Sequence, residues 1–424
     1  MRATRRTALV AGGGGLTALA LAGCGLRPTG RPSADIVEEA ADGDVGGEIV
    51  FQTWSLKNET FTPFFEQVIA DFEAEHPGTR VHWMDQPPEG YEDKLLAQAN
   101  SDSLPDVINL APDIAFALAR AGLLLDVGAV QDDLEQEYVV GAVESFRYDQ
   151  VEGTFGLPWY LGTDMNWWNL AGLAEVGVDA SSLPTTMDEL FEVARAVHEA
   201  GGRNPVVSNM PDIPITSEGD AFTFATDENV ELLTGYSELY QSGAMPPEVL
   251  SGAETGNTEL FIQDKALWTT ATSTFASDLA NQAPSLMETT AVSERLGTPP
   301  LYGQGVSIAS TSRNLATALA FGRFLTSDEY QIGFAKLAPG FVPGTQAAAA
   351  DPSRYAVQDG SELLAQSVQI AATSMETAEV LSNPLWTPDM RTNLTQLISR
   401  AMTGDITPRQ ALEEAVEYGN LNLQ

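Results

Sequence analysis

Residues 48–54, EIVFQTW, form a run rich in β-branched and aromatic side chains that predicts a β-strand. Turn-like residues 55–59 follow, and apolar side chains then recur at helical spacing until the His76-Pro77-Gly78 sequence, which predicts an amphipathic helix. The next elements are predicted over residues 79–84 (strand), 91–100 (helix), 106–110 (strand) and 113–121 (helix). This β-α-β-α-β order favours a mostly parallel sheet with helices on both faces.

In such sheets, ligands bind beyond the carboxyl ends of the strands. Trp54 ends the first predicted strand, and the Ala111-Pro112-Asp113 turn follows the third. We therefore expect Trp54 and Asp113 at the rim of a binding site.

The rest of the chain repeats the same strand and helix signals. Thr186, with Glu189 three residues later, has the pattern of a helix N-cap, and Thr387-Pro388 opens a helix that Gly404 ends. A chain of 424 residues with 43% hydrophobic content can bury more than one core, so two lobes are expected.

The N-terminus has the pattern of an export signal. A basic start with Arg2, Arg5 and Arg6 precedes an apolar stretch, residues 8–22, that is too short to span a bilayer. The following Leu21-Ala22-Gly23-Cys24 sequence resembles the lipobox of bacterial lipoproteins. That resemblance implies a signal peptide over residues 1–23 and a lipid-modified Cys24 that anchors the mature chain to the outer face of the membrane. Arg5-Arg6 leaves the Sec and twin-arginine routes both open.

Residues 24–46 are rich in Pro, Gly, Ser, Asp and Glu, which predicts a flexible tether. Loss of the three signal arginines moves the formal charge from −38 to about −41 at neutral pH. So acidic a surface repels nucleic acid and anionic lipid. Because Cys24 is the only cysteine, no intrachain disulfide can form.

Signatures of catalysis, metal binding and cofactor binding are missing from the sequence. The three histidines, His76, His82 and His198, show no metal-ligand spacing, and no nucleophile elbow, phosphate loop or zinc-protease motif occurs. We therefore predict a protein that is not an enzyme and has no metal or cofactor.

Tryptophans provide the positive signal, since a Trp ring packs well on the C–H face of a pyranose. Several lie at predicted strand ends or in loops: Trp54, Trp159, Trp167, Trp168, Trp268 and Trp386. Trp54, Trp159 and Tyr160 are the favoured ligand contacts. Trp168 is assigned to the core, because neighbours on a strand face opposite sides.

Several stretches, in their order and spacing, resemble extracellular solute-binding proteins of carbohydrate ABC importers, the maltose-binding-protein-like family. They are FEAEHPG (72–78), LPDVI (104–108), GLPWY (156–160), PTTMDEL (184–190), FGRFLTS (321–327) and FVP (341–343). The resemblance covers residues 47–424 and implies a two-lobed, type II periplasmic-binding-protein-like α/β fold. Each lobe would be a mostly parallel sheet flanked by helices, and the ligand cleft would lie between the lobes.

Mapped onto this chain, the family organisation implies a first lobe of residues 47–157 with 300–342. The second lobe would comprise residues 158–299 with 343–424. The cleft would close by hinge bending, and the closed form would be presented to a permease.

Carried over by position, the resemblance implies ligand contacts on both lobes. They are Asp113, Trp159, Tyr160, Ser273, Thr274, Tyr302 and Trp386, to which the residue pattern adds Trp54, Asp164 and Trp268. Gly162 and Asp164 stand where many relatives have Asp and Arg, which leaves the identity of the sugar open.

The expected function is capture of a mono- or oligosaccharide by a lipid-anchored monomer that serves an ABC transporter. Glycerol-phosphate esters or other polyols are the rival ligands. A sensor lipoprotein with the same fold and a secreted glycan-processing enzyme are the rival classes.

Overall fold

A computed structural model describes residues 33–251, 257–356 and 361–423 of the chain. The predicted signal peptide, Cys24 and the start of the predicted tether lie outside these residues. The strands are β1 Gly47–Trp54, β2 Thr79–Gln86, β3 Val107–Leu110, β4 Leu157–Gly162, β5 Met165–Asn169, β6 Ser217–Glu218, β7 Ala221–Phe222, β8 Trp268–Ala271, β9 Thr290–Ser293, β10 Tyr302–Ile308 and β11 Val342–Pro343.

Helices flank these strands along the whole described chain. They are α1 Ser33–Asp42, α2 Thr62–Glu75, α3 Tyr91–Asn100, α4 Pro112–Arg120, α5 Leu134–Glu137, α6 Val140–Glu144, α7 Leu170–Leu173, α8 Met187–Glu199, α9 Asp227–Ser242, α10 Asn257–Ile262, α11 Phe275–Gln282, α12 Pro284–Met287, α13 Leu315–Leu325, α14 Asp328–Leu337, α15 Gln346–Ala349, α16 Glu362–Ser374, α17 Pro388–Thr403 and α18 Pro408–Leu421. No described helix combines the length and apolar character needed to cross a membrane.

The first sheet has six strands in the order β11-β4-β10-β3-β1-β2. Strand β1 pairs in parallel with both β2 and β3, as the β-α-β-α-β order predicts. Strand β10 is inserted between β3 and β4 and runs antiparallel to both. The carboxyl ends of β1, β3 and β4 and the start of β10 therefore lie together at the same end of the strands.

The second sheet has three strands in the order β8-β5-β9, and both of its pairings are antiparallel. The prediction of a mostly parallel sheet in each lobe is wrong for this sheet. Strands β8 and β9 do run in the same direction, as their helical connection requires, but β5 lies between them. Because β5 enters directly from the first sheet, it runs opposite to both neighbours.

Local signals start and end the helices as the sequence predicts. The Thr186 side chain accepts a hydrogen bond from the Glu189 backbone N–H at 3.2 Å, so it caps α8. Thr387 caps α17 in the same way, and Gly404 ends that helix with a φ of 84°. A left-handed residue at this position favours glycine, which has no Cβ to clash with the backbone.

Each sheet has its own core, a third core joins them, and a fourth lies between β3 of the first sheet and helices α3 and α4. The first contains Phe51, Phe65 and Phe321 against the first sheet, and the second contains Trp168, Leu190 and Trp268. The joining core includes Leu161 and Val342 from the first sheet and Met165 and Trp167 from the second. Phe275 of α11 and Tyr355 from a nearby turn complete it. The two sheets are thus linked by buried apolar contact as well as by the chain.

The first helix corrects the prediction of a flexible tether over residues 24–46. Within that range, residues 33–42 form α1, which packs on α13 through Ile36 and Ala40, whose exposed fractions are 6% and 5%. Gly46 continues the attachment, because its N–H donates to Thr317 Oγ1 at 2.8 Å and its carbonyl accepts from the same hydroxyl at 2.7 Å. The composition of α1 is that of a linker, and only its contact with α13 makes it part of the fold.

The docking of α1 can be tested by Ile36→Ala. We expect the free energy of unfolding in urea to fall by about 2 kcal/mol, because the change removes buried methyl groups. Glu38→Ala is the matched control, since Glu38 is exposed on the same helix and its loss should stay within about 0.5 kcal/mol. If the two variants unfold alike, α1 does not pack on the body.

Candidate ligand-binding cleft

Two crossover segments run side by side between the sheets. Only Thr163 and Asp164 separate β4 from β5, and Gly162 at the end of β4 pairs with Tyr302 at the start of β10. The Tyr302 hydroxyl donates to Asp164 Oδ2 at 3.0 Å, which ties one crossover to the other. The first sheet extends beyond the boundary predicted at residue 157, because all of β4 belongs to it. The full division into lobes stays a prediction.

A cavity of about 390 Å³ lies on the first-sheet side of these crossovers, where β1 ends and α3 and α4 begin. Half-buried Trp54 lies there with its ring centroid 6.1 Å from that of Tyr91 and tilted by 35°. The cavity is lined by Trp54, Pro88, Gly90, Tyr91, Glu92, Asp93 and Ile114. Trp54 is thus at the strand end and cavity wall where the sequence predicts a ligand contact.

Polar groups continue from this cavity toward β10. Burial raises the pKa of Tyr91 well above its usual range, so its hydroxyl keeps its proton and donates to the Asn109 carbonyl at 3.0 Å. The Asn109 side-chain N–H donates to Gln304 Oε1 at 3.1 Å. Asn109 Oδ1 is buried and has no partner among the described residues. Tyr91, Asn109 and Gln304 were not singled out from the sequence, because only the pairing of β3 with β10 brings them together.

Carboxylates dominate the electrostatics of the cavity. Burial, followed by repulsion from Asp113 and Asp93, raises the pKa of Glu92 above its usual range. Asp113 is exposed in the first turn of α4, where its carboxylate accepts from the Ile114 N–H at 2.9 Å. No lysine or arginine is among the lining residues. This side of the site offers acceptors for hydroxyl groups and repels anions.

A second polar cluster lies beside the crossovers, on the second-sheet side. Burial raises the pKa of Asp164, Arg295 and the Tyr302 hydroxyl oppose that rise, and Asp212 adds to it. Arg295 and Asp212 also act on the buried hydroxyl of Tyr236. Tyr302 is 48% exposed, so the cluster reaches the surface between the two sheets. Arg295 and Asp212 carry no sequence motif, so sequence analysis did not identify them.

The two sides also touch at their outer edge. Gln150 Nε2, on the first-sheet side, donates to Asp220 Oδ1 at 3.2 Å. Asp220 lies in the turn between β6 and β7, on the second-sheet side. The space between the first-sheet side and the second-sheet side therefore runs from the crossovers at one end to this contact at the other. We call this region the cleft.

Four predicted contacts lie in the cores instead of at the cavity. Trp159 is 0% exposed, and its ring packs edge-on against Phe65 and next to Phe334. Trp268 is buried and donates to Asn166 Oδ1 at 3.1 Å, and Trp386 packs edge-on against Phe222 at 4.9 Å. Ser273 is fully buried and donates to the Gly340 carbonyl at 2.6 Å. A Trp at a strand end is as well suited to a core as to a sugar, and burial decides which role it has.

The remaining two predicted contacts are partly or wholly covered. Tyr160 is buried and its ring stacks on Phe334 at 4.8 Å. Thr274 is half-buried and shares a hydrogen bond of 2.7 Å with Thr272. The structure thus brings Trp54 and Asp113 to one side of the cleft, and Asp164 and Tyr302 to its crossover end.

Comparison with protein families gives one match. The model of the bacterial extracellular solute-binding protein family matches residues 58–332. No curated protein sequence matches the chain. The matched residues run from the turn after β1 into α14, and so include both crossovers, the second sheet and all of the cavity lining except Trp54.

Solved structures show the same fold. A protein described as an oligosaccharide periplasmic-binding protein from Synechococcus sp. MITs9220 is 24% identical, with 88% of this chain and 98% of that chain covered and a TM-score of 0.77. A cyclic alpha-maltosyl-1,6-maltose binding protein from Arthrobacter globiformis is 19% identical, with 89% and 99% covered and a TM-score of 0.72. The sugar-binding protein MalE from Xanthomonas citri is 18% identical, with 89% and 97% covered and a TM-score of 0.72. The type II periplasmic-binding-protein fold predicted from the sequence is confirmed.

Burial of Trp159 predicts a structural role that can be measured without a ligand. Trp159→Ala should lower the free energy of unfolding in urea by about 3–5 kcal/mol, because it leaves a large cavity in the first core. Trp54→Ala is the control, and its half-buried ring should cost clearly less. A larger loss for Trp54 than for Trp159 would contradict the positions described here.

Asp164 predicts a pH dependence of stability with a defined sign. Because burial raises its pKa in the folded state, its ionisation costs stability once the pH rises above its unfolded pKa of about 3.9. Asp164→Asn should therefore melt at a higher temperature than the wild type at pH 7.5. The difference should shrink as the pH falls toward about 4.

Asp179→Asn is the control of opposite sign for that experiment. Hydrogen bonds from the Ser181 side chain and backbone, and from Ser182, lower the pKa of Asp179, so its carboxylate stabilises the fold above its unfolded pKa. This variant should melt below the wild type at pH 7.5, again with a difference that shrinks on acidification. A lower melting temperature for Asp164→Asn at pH 7.5 would contradict the account of Asp164.

Proposed function

We propose that this chain, which belongs to the family of bacterial extracellular solute-binding proteins, captures an uncharged mono- or oligosaccharide in its cleft for an ABC importer. The observation that carries the proposal is the cavity wall of Trp54 and Tyr91 beside a set of carboxylate and amide groups. The named sugar-binding proteins with the same fold support the choice of a saccharide.

The cleft offers a sugar both an apolar surface for its C–H groups and polar groups for its hydroxyls. An aromatic ring offers a flat apolar face to the C–H groups of a pyranose, and polar groups at its edge fix the hydroxyls. Trp54 is half-buried, so one part of its ring is held by the protein and the rest is free to contact a ligand. Glu92, Asp93 and Asp113 supply acceptors for hydroxyl protons.

Charge argues against the rival glycerol-phosphate esters. A phosphate binds to Arg, Lys or a helix N-terminus with free N–H groups. Helices α3 and α4 do begin at this cavity, but Glu92, Asp93 and Asp113 occupy their first turns. The cavity has three carboxylates within or beside it and no basic lining residue, in a chain of formal charge −38. A doubly charged anion would be repelled here, whereas a neutral saccharide would not.

We propose that the site binds and releases its ligand without turnover. Among the described residues, no group of three or more His, Cys, Asp or Glu is arranged to hold a metal ion. We propose that closure of the two sides around a saccharide produces the form that a permease recognises. This requires a ligand that binds the closed form more tightly than the open form.

Membrane attachment is proposed through a lipid on Cys24. Cys24 precedes α1 by nine residues, and an extended chain of that length spans at most about 30 Å. Because α1 is docked on α13, the lipid would hold the monomeric body within that distance of the membrane and keep its local concentration near the permease high. Cys24→Ser should release the protein from the membrane and leave its ligand affinity unchanged.

Thermal-shift measurements on the protein lacking residues 1–23 test the proposed function. The panel is maltose, maltotriose, cellobiose, trehalose and xylobiose, with glycerol 3-phosphate as the anionic rival. At least one saccharide should raise the melting temperature in proportion to the logarithm of its concentration, because binding only the folded state stabilises it. Glycerol 3-phosphate should have no effect.

Trp54→Ala gives the matched variant. It should weaken binding of the best panel saccharide at least tenfold, which corresponds to about 1.4 kcal/mol, in isothermal titration calorimetry. Recovered saccharide should be chemically unchanged. A melting-temperature rise with glycerol 3-phosphate alone, or conversion of the saccharide, would overturn the proposal.

A further inference from the structure

Arg295 is a guanidinium without a partner in a strongly acidic protein. The chain has 59 acidic and 21 basic residues, and arginines such as Arg147 and Arg354 are paired with carboxylates. Within the described part of the chain, Arg295 Nη1 is buried and makes no hydrogen bond, and Arg295 forms no ion pair. A buried charged donor without an acceptor lowers stability, so its retention calls for a functional reason.

The surroundings of Arg295 place it at the cleft. It follows β9 at the start of the second crossover, seven residues before Tyr302. Its charge acts on Asp164, Tyr302 and the buried hydroxyl of Tyr236. Asp164 is bound by the Tyr302 hydroxyl at 3.0 Å and not by the guanidinium, although the opposite charges attract. Arg295 is therefore held near two carboxylates, Asp164 and Asp212, and touches neither.

We propose that Arg295 is a direct ligand contact that donates from Nη1 to a hydroxyl oxygen of an uncharged saccharide, with Asp164 accepting from the adjacent hydroxyl. This assignment rests on the proposed function and identifies the side chain that hydrogen-bonds the ligand from the second-sheet side. A guanidinium and a carboxylate set slightly apart match a pair of neighbouring hydroxyls, one accepting and one donating. Because Asp164 and Asp212 offset the charge of Arg295, the pair does not select an anion.

The assignment predicts opposite effects of one substitution on stability and on binding. Arg295→Met keeps the apolar stem and removes the unpartnered charged head. At about pH 4, near the unfolded pKa of Asp164, ionisation of Asp164 no longer costs stability. There the ligand-free variant should melt at the same temperature as the wild type or higher, because no hydrogen bond is lost. Its affinity for the best panel saccharide in isothermal titration calorimetry should fall at least tenfold.

Arg195→Met is the matched control. Arg195 lies on α8, on the same side of the molecule, and its guanidinium is 3.9 Å from the Glu238 carboxylate. This variant removes the same charge at a paired position, so its saccharide affinity should equal that of the wild type. An equal loss in both variants would assign the effect to overall charge and overturn a contact at Arg295.

Arg295→Lys separates a contact from a structural role. Lysine keeps the positive charge but lacks the planar guanidinium and its several N–H donors. The stability of the ligand-free lysine variant should therefore match the wild type, while its affinity for the saccharide stays reduced. Full affinity in the lysine variant, or a lower apo melting temperature with unchanged affinity in the methionine variant, would overturn the assignment. If the wild type binds no panel saccharide, the proposed function and this assignment fail together. If the wild type binds a panel saccharide and Arg295→Met binds it with the same affinity, the assignment of Arg295 fails and the proposed function stands.

Discussion

The pairing of Gly162 with Tyr302 is the constraint on which the rest of the structure depends. It places the two crossovers next to each other, and the hydrogen bond of 3.0 Å between Tyr302 and Asp164 closes the pair. Each crossover leads directly from a strand of one sheet to a strand of the other, and the chain crosses again after β11 to reach α16, which contacts β5 and β9. A hinge of two adjacent segments allows the sides to close and resists shear between them.

Closure has a cost that the ligand must offset. In this structure the outer edges already meet through Gln150 and Asp220, both on exposed turns. A single hydrogen bond between exposed groups contributes little, so it does not hold the closed form by itself. Unpaired polar groups on the two sides, Asn109 Oδ1 and Arg295 Nη1, are better placed to couple closure to a ligand, because they gain partners only when one is present.

Local signals made many of the strands and helices predictable from sequence. The strand-helix order from Glu48 onward and the caps at Thr186, Thr387 and Gly404 depend on neighbours within a few residues, and they appear as predicted. The antiparallel second sheet was missed, because no sequence pattern near β5 indicates that β8 and β9 are its neighbours in the sheet. Helix α1 was missed for a similar reason, since its stability comes from α13, about 280 residues away along the chain.

The candidate site was predictable only for residues whose position at a strand end or helix start by itself places them at the site. Trp54 and Asp113 follow from strand ends and helix starts, whereas the role of each other tryptophan depends on which helix covers it. Phe334 of α14 covers both Trp159 and Tyr160, for example, and this contact spans more than 170 residues of sequence. Arg295 belongs to no sequence motif. It stands out only in the structure, where its Nη1 is buried without a hydrogen-bond partner.

We propose that a bound saccharide lies between Trp54 on the first-sheet side and Arg295 on the second. A crystal structure of the protein lacking residues 1–23 with the best panel saccharide tests it most directly. We expect a sugar ring against Trp54 and a hydroxyl oxygen within about 3 Å of Arg295 Nη1, with Asp164 accepting a hydrogen bond from the adjacent hydroxyl. A saccharide bound away from Trp54, or an Arg295 that pairs with Asp164 or Asp212 in the complex, would contradict it.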